Sequence, residues 1–326
     1  MRNRKIHIVL LFLSLRSLLA FAQDPLMLTQ TIVRQEFMNP AYSSFKDYTS
    51  INLMNSYQWL GSTGTPETYA ANVYLPVSLS GFGIGFTAIT QTSGNRKKAA
   101  FTGSFSHNIR VGYSDYLALG YGFGVQNISY KSGLETNPDF NLDGVDLNVT
   151  DMSVSMGMFF YDPAFFVGVS SNVLFNKNSF SNGWLVPGFD FTSGLMYRIN
   201  SSVLLRPDMV LKYYPTKMYL NRNDAKEESI VAPILDLGIN VLLGSRLWLG
   251  TSHRLGRAQT FSVDVVVRES FRFGYTFEYG LGLGVNKNSS HGIRVAWNMI
   301  PKRALRGFER SGRYNLKSMM STNLYR

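Results

Sequence analysis

The sequence predicts an all-β chain, a transmembrane antiparallel β-barrel of about fourteen strands of the outer-membrane type, on three observations. Large apolar residues alternate with small or polar ones in segment after segment. The segments are about ten residues long, the length with which a tilted strand crosses a bilayer. The connections between them alternate between long and tight through most of the chain. Long loops on one rim and tight turns on the other characterise membrane barrels, and a soluble sandwich has no reason to sort its loops this way.

The chain has 326 residues. Residues 1–22 read as a cleaved signal peptide, with Arg2, Arg4 and Lys5 at the start, an apolar run from Ile8 to Leu15, and Ala20 and Ala22 ahead of Gln23. Arg16 interrupts the run, which suits a removed signal better than an anchor. No later segment approaches the roughly 18 apolar residues a membrane helix needs, so any crossing has to use strands. The remaining organisation is a periplasmic N-terminal segment at 23–47, the barrel at 48–299 and a basic C-terminal tail at 300–326. With no cysteine there is no disulfide, thiolate metal site or cysteine nucleophile.

Strands are expected near 48–57, 69–77, 82–91, 98–110, 116–130, 150–161, 164–174, 189–199, 202–214, 230–243, 246–255, 258–268, 270–280 and 290–299. Between Tyr116 and Gln126 the odd positions are Leu117, Leu119, Tyr121, Phe123 and Val125, with Ala118, Gly120, Gly122 and Gly124 between them. From Phe271 to Gly280, Phe271, Phe273, Tyr275, Phe277 and Tyr279 alternate with Arg272, Gly274, Thr276, Glu278 and Gly280. A helix would spread these side chains around its surface; a strand sorts them to two faces. The apolar face then meets lipid and the small or charged face lines the lumen. Tyr48, Tyr57, Tyr116, Tyr161, Trp248, Tyr279 and Trp297, near segment ends, suit interfacial girdles.

The longer connections are YQWLGSTGTPET after the first strand, TSGNRKK, KSGLETNPDFNLDGVDLN, NKNSFSNGWLVPG and PTKMYLNRNDAKEES; the tight ones are SLSG, VGYSD, DP, NSS and GS. LGR and LGVNKNSS, near the end, are shorter than the alternation asks. The first long connection is read as a surface loop, with Tyr57 and Trp59 at the outer interface and Gly61, Gly64 and Pro66 shaping its tip.

The formal net charge is +11, but Arg2, Arg4, Lys5 and Arg16 lie in the leader and seven Lys/Arg against one Glu in 302–326. The body is nearly neutral, so the basicity is no nucleic-acid face. Inside, Arg206, Asp208, Lys212, Asp236, Asp264, Arg268, Arg272, Glu278 and Arg294 are expected to line the lumen. They either neutralise one another and fill the barrel or mark a selectivity path, and their mixed signs favour the first.

Asp139, Asn141, Asp143 and Gly144 begin like a calcium loop, but Thr150 stands where a bidentate Glu belongs, so an ordinary surface turn is the better reading and no metal is assigned. The body's histidines, His107, His253 and His291, sit in no nucleophile motif, and Ser106 and His107 point to opposite faces of one strand. No catalytic residue or cofactor is assigned.

Several stretches resemble the PorP/SprF membrane proteins of the type IX secretion and gliding motility machinery. QDP after the leader is followed by Asn39-Pro40-Ala41-Tyr42, and Gln58, Trp59, Gly61, Gly64, Pro66 and Thr68 look like that family's QW-x-G-x-x-G-x-P-x-T. LRPDMVLKYYP, LDLGINVLLGSRLWLGTSHR, RFGYTFEYG and SSHGIRVAWN are also similar, so the resemblance spans about 23–299. It implies a non-enzymatic outer-membrane barrel, surrounded by lipid, that works with the periplasmic ring, with peptidoglycan-linked lipoproteins or with a large secreted adhesin. It makes Asn39, Pro40, Tyr42, Trp59, Gly61, Gly64 and Pro66 candidates for partner contact, with the loops at 131–149, 175–188 and 215–229. Members usually finish with the last strand, whereas here a basic tail follows Asn298, which suggests an added periplasmic contact. A porin or hydrophobic-solute channel is the alternative, and an outer-membrane hydrolase a more distant one.

Overall fold

The computed structural model describes residues 36–46, 48–77, 81–130, 147–175, 186–213, 217–219, 228–230, 233–244, 246–267, 270–281 and 288–299. Fourteen antiparallel strands form the wall: β1 (Thr49–Tyr57), β2 (Glu67–Pro76), β3 (Phe82–Ser93), β4 (Arg96–Arg110), β5 (Tyr116–Tyr130), β6 (Leu147–Tyr161), β7 (Phe165–Phe175), β8 (Val186–Leu195), β9 (Val203–Tyr213), β10 (Ile234–Leu243), β11 (Leu247–Arg254), β12 (Ala258–Val267), β13 (Phe271–Gly280) and β14 (Ser290–Met299). Each pairs with the next, and β1 pairs with β14 from Thr49↔Met299 to Tyr57↔His291, which closes the ring. Closure satisfies the backbone of both terminal strands, as a lipid-embedded sheet requires. Two short pieces stand outside this count: Tyr197–Arg198 pairs with β9, and Lys217–Tyr219 pairs with Glu228–Ile230 as a separate ribbon.

The alternation read from sequence is the alternation of the wall. On β13, Phe271, Phe273, Tyr275 and Tyr279 are exposed, while Arg272, Thr276 and Glu278 are buried inside. On β5, Tyr121, Phe123 and Val125 face out and Ala118 and Gly120 face in. An outer belt of large apolar side chains is what hydrocarbon solvates and water does not, so this is a transmembrane barrel. Among the described residues no helix is long and apolar enough to cross a membrane, and the strands do the crossing.

The connections at 77–81, 111–115, 162–164, 196–202, 244–246 and 268–270 share one rim with the start of β1 and the end of β14. Those at 58–66, 94–95, 131–146, 176–185, 214–233, 255–257 and 281–289 share the other. TSGNRKK is not a long loop. β3 and β4 continue through most of it and turn at Gly94-Asn95, where Gly94 (φ 55) takes the left-handed conformation a two-residue hairpin needs.

Four of the seven expected girdle aromatics lie inside. Tyr48, Tyr116, Tyr161 and Trp248 are buried, and Tyr57, Tyr279 and Trp297 face outward. Strand parity is the reason: Tyr116 shares the inward face of Ala118 and Gly120, and Trp248 that of Ser252. Tyr116, Tyr161 and Trp248 join Phe45, Tyr74, Phe159, Phe166, Met196, Leu204 and Leu242 in one apolar cluster. Most of these stand beside the tight turns, so that end of the lumen is packed like a protein core.

The segment expected to lie in the periplasm also differs. Its described part, residues 36–46, is inside the barrel, with Phe37, Asn39, Ala41, Tyr42, Phe45 and Lys46 all buried.

Candidate functional site

The lumen has two walls of opposite chemistry with this inner strap between them. Asn39 starts a short 3₁₀ turn, Pro40–Ser44, in which its Oδ1 accepts from the Ala41 amide at 2.9 Å. Proline at the first helical position sacrifices no useful donor there. The Asn39 amide nitrogen donates to the Met158 carbonyl on β6 at 3.2 Å and to the Val169 carbonyl on β7 at 3.5 Å. Ser43 Oγ lies 2.5 Å from Ser104 Oγ on β4, and the Tyr74 hydroxyl of β2 donates to the Glu36 carbonyl. Five strands or more are therefore touched by eleven consecutive residues, 36–46.

The glycine-rich faces of β3, β5 and β6 are the floor on which the strap lies. A Cβ at Gly83 would overlap the Ser43 carbonyl, one at Gly120 the Ala41 amide, and one at Gly157 the Asn39 side chain. Backbone lies on backbone here, and only glycine leaves the room. Tyr42 and Phe45 then reach the apolar cluster, with Tyr42 4.6 Å from Phe159 and Phe45 4.9 Å from Tyr161 between ring centroids.

The other wall is charged and paired. Arg206 Nε is 3.4 Å from Asp208 on β9, and Asn240 donates to Asp208 at 2.7 Å. Arg254 reaches Asp236 at 3.0 Å and Glu278 at 3.4 Å. Asp264 takes Arg272 at 3.2 Å and Arg294 at 3.8 Å. Arg294 also donates to Asn52 at 3.0 Å and meets Glu36 of the strap at 3.4 Å; Glu36 pairs with Lys46 at 3.3 Å. Lys212 is buried on the same wall, and Arg268 lies outside the described residues.

Eight of the nine charges expected to line the lumen thus point inward and are almost fully buried. Sequence reasoning missed Asp151, Asp190 and Arg254 on the wall, and Glu36 and Lys46 on the strap. Arg254 was legible, since it shares the parity of Trp248 and Ser252; Glu36 and Lys46 were not, because nothing local places residues before β1 inside the ring.

The seven partner-contact candidates separate into two groups. Asn39, Pro40 and Tyr42 are buried in the strap, bound to their own barrel. Trp59, Gly61, Gly64 and Pro66 sit on the loop rim, with Gly61 and Gly64 exposed, Trp59 half-buried and Pro66 buried. Trp59 has φ 53, which an L-residue rarely adopts, beside Gly61 at φ 92 and Gly64 at φ 69. The loop is tied on both sides: Leu60 N donates to the Ser289 carbonyl at 2.9 Å, and Gly94 N to the Gly64 carbonyl at 2.9 Å. Asn288 adds a bond to Ser62 Oγ at 2.8 Å. The stretch is a turn braced between the β13–β14 and β3–β4 connections.

Of the histidines, His107 stacks on Phe82 at 4.1 Å, His253 meets Gln259 at 3.1 Å and His291 meets Tyr275 at 2.6 Å. The three stand on separate strand pairs. Most of the calcium-like stretch, the longer loops and the tail lie outside the described residues.

Among solved structures, the backbone is similar to the CymD monoaromatic hydrocarbon channel, with 10% identity and TM-score 0.49 over 82% of this chain and 91% of that one. It is similar to a Pseudomonas aeruginosa FadL homologue at 9% identity and TM-score 0.46, over 81% and 92%. None of the curated proteins compared with it matches the chain. The family model for the type IX secretion system membrane protein PorP/SprF matches residues 20–297, and the chain belongs to that family.

Proposed function

We propose that this protein is a docking barrel of the outer membrane, which supports secretion or surface attachment of a partner protein, such as a large adhesin, through the type IX and gliding machinery. The observation that carries this reading is the filled lumen. Mixed charges pair with one another at 3.0–3.4 Å in Arg254–Asp236, Arg254–Glu278 and Arg206–Asp208, and are buried. A solute path more often keeps one sign of charge open to water. The braced loop around Trp59 and the longer loops of the same rim supply the docking platform. The basic tail leaves from the opposite rim, where β14 ends at Met299, and suits an acidic partner in the periplasm, the ring or a peptidoglycan-linked lipoprotein.

Deleting the gene and quantifying surface and secreted proteins by mass spectrometry tests the reading. The expected result is loss of one or a few large secreted proteins from the surface, with solute uptake unchanged. An unchanged surface proteome with slowed uptake of a solute would overturn it in favour of a channel.

Trp59→Ala gives a local check. The loop's main ties are backbone bonds, so the variant should assemble at wild-type levels, judged by heat-modifiable mobility on gels, while surface attachment of the partner falls. Unchanged attachment would reduce Trp59 to an interfacial anchor.

A further inference from the structure

We propose that residues 36–46 close the barrel as an internal strap, and that unseating the strap turns the lumen into a hydrophilic passage for ions.

The strap lies across the lumen from wall to wall. On one side Asn39 is bonded to β6 and β7, and Ser43 to β4. On the other, Glu36 meets Arg294 of β14. Tyr42 and Phe45 are seated in the apolar cluster, and the rest of the surface the strap covers is polar. Behind the strap are the glycine faces and the hydroxyl of Ser104; ahead of it are Asn52, Arg272, Arg294 and Asp264. Without the strap Ser104 would lose Ser43 and Arg294 would lose Glu36, and the vacated space beside these buried polar groups would draw in water, because such groups keep a partner or are hydrated. An aqueous column between such walls passes small ions, whereas an apolar tunnel would pass hydrocarbons. This closure shares the filled lumen with the docking reading, but no partner contact enters it.

The fit is tight enough to test by size. Gly120→Leu with Gly157→Leu would drive side chains into the space of Ala41 and Asn39 and lift the strap. The chain has no cysteine, so Ser43→Cys with Ser104→Cys, whose Oγ atoms are 2.5 Å apart, introduces one unambiguous disulfide that holds the strap down.

Purified protein in planar bilayers gives the reading. Wild type should be silent, the leucine pair should show conductance steps, oxidising the cysteine pair in that background should abolish them, and reductant should restore them. A leucine pair that migrates as a folded barrel yet stays silent overturns the proposal, and so does wild type conducting as much as the variant. Should the leucine pair not assemble, Asn39→Ala, which only deletes hydrogen bonds, carries the same expectation of conductance. A cysteine pair that fails to oxidise in the otherwise unaltered folded barrel overturns the seating itself. A silent leucine pair or an unoxidised cysteine pair leaves the docking function standing, whereas a conducting wild type counts against both.

Discussion

Asp264→Leu will destabilise the barrel more than loss of its cationic partner Arg294. Asp264 lies between Arg272 at 3.2 Å and Arg294 at 3.8 Å and is buried with both. Lys46, Arg272 and Arg294 face Glu36 and Asp264 in one cluster, which already holds one more cation than anion. Losing Asp264 leaves Arg272, Arg294 and Lys46 with Glu36 as their one carboxylate, and stranding a buried charge costs about 3–5 kcal/mol. Arg294→Leu makes the cluster neutral and should cost less, although it also removes the bond to Asn52.

The urea midpoint of the barrel in lipid vesicles measures both. Asp264→Leu combined with Arg272→Met should regain much of the loss, because it restores the original balance of charge. A shift below about 0.5 kcal/mol for Asp264→Leu would mean that the pair is solvated and behaves as a surface ion pair.

Phe159→Ala should be comparably damaging for an unrelated reason. Phe159 is fully buried and lies within 6 Å of four rings: Tyr42 at 4.6, Phe45 at 5.4, Tyr161 at 5.5 and Phe166 at 5.9 Å. Truncating a core phenylalanine costs about 3–5 kcal/mol in lost burial and residual cavity. Two of the four rings belong to the strap, so the variant should also loosen residues 42–45. Faster hydrogen exchange at the amides of Tyr42 and Phe45, alongside a lower urea midpoint, is the expected pair of signals. A lower midpoint with unchanged exchange would show that Phe159 supports the wall and not the strap.

The wall was readable because its rule is local. Period two along β5 and β13 assigns every side chain to lipid or lumen, and all fourteen strands fall near their expected places. The same rule, applied to Tyr116 and Trp248, would have moved them inside; position near a strand end proved a weaker guide than parity. The bare glycine faces were visible too, but not their purpose. Asn39 and Met158 are 119 residues apart, and no local pattern announces a contact of that separation. For the same reason the Asn39-Pro40-Ala41-Tyr42 element looked like a surface for a partner, whereas its partner here is the barrel's own floor. The loop around Trp59 was correctly read as a turn, and its bracing by Ser289 and Gly94 comes from strand neighbours distant in sequence.

Order in the chain and order in space disagree at the strap, and that sets the sequence of assembly. The strap precedes β1, yet most of the surfaces that hold it belong to β2 through β7, and Arg294 of β14 is added last, so it has little to rest on until half of the sheet exists. It also lies inside a ring whose last junction joins β1 to β14. The natural course is for the N-terminus to fold onto an open, curved sheet and for the two ends to meet afterwards, enclosing it. Contacts this distant in sequence form late and slowly. A chain with a damaged seat would then complete insertion less often, so the yield of folded protein in the membrane is itself a measure of how well the seat is made.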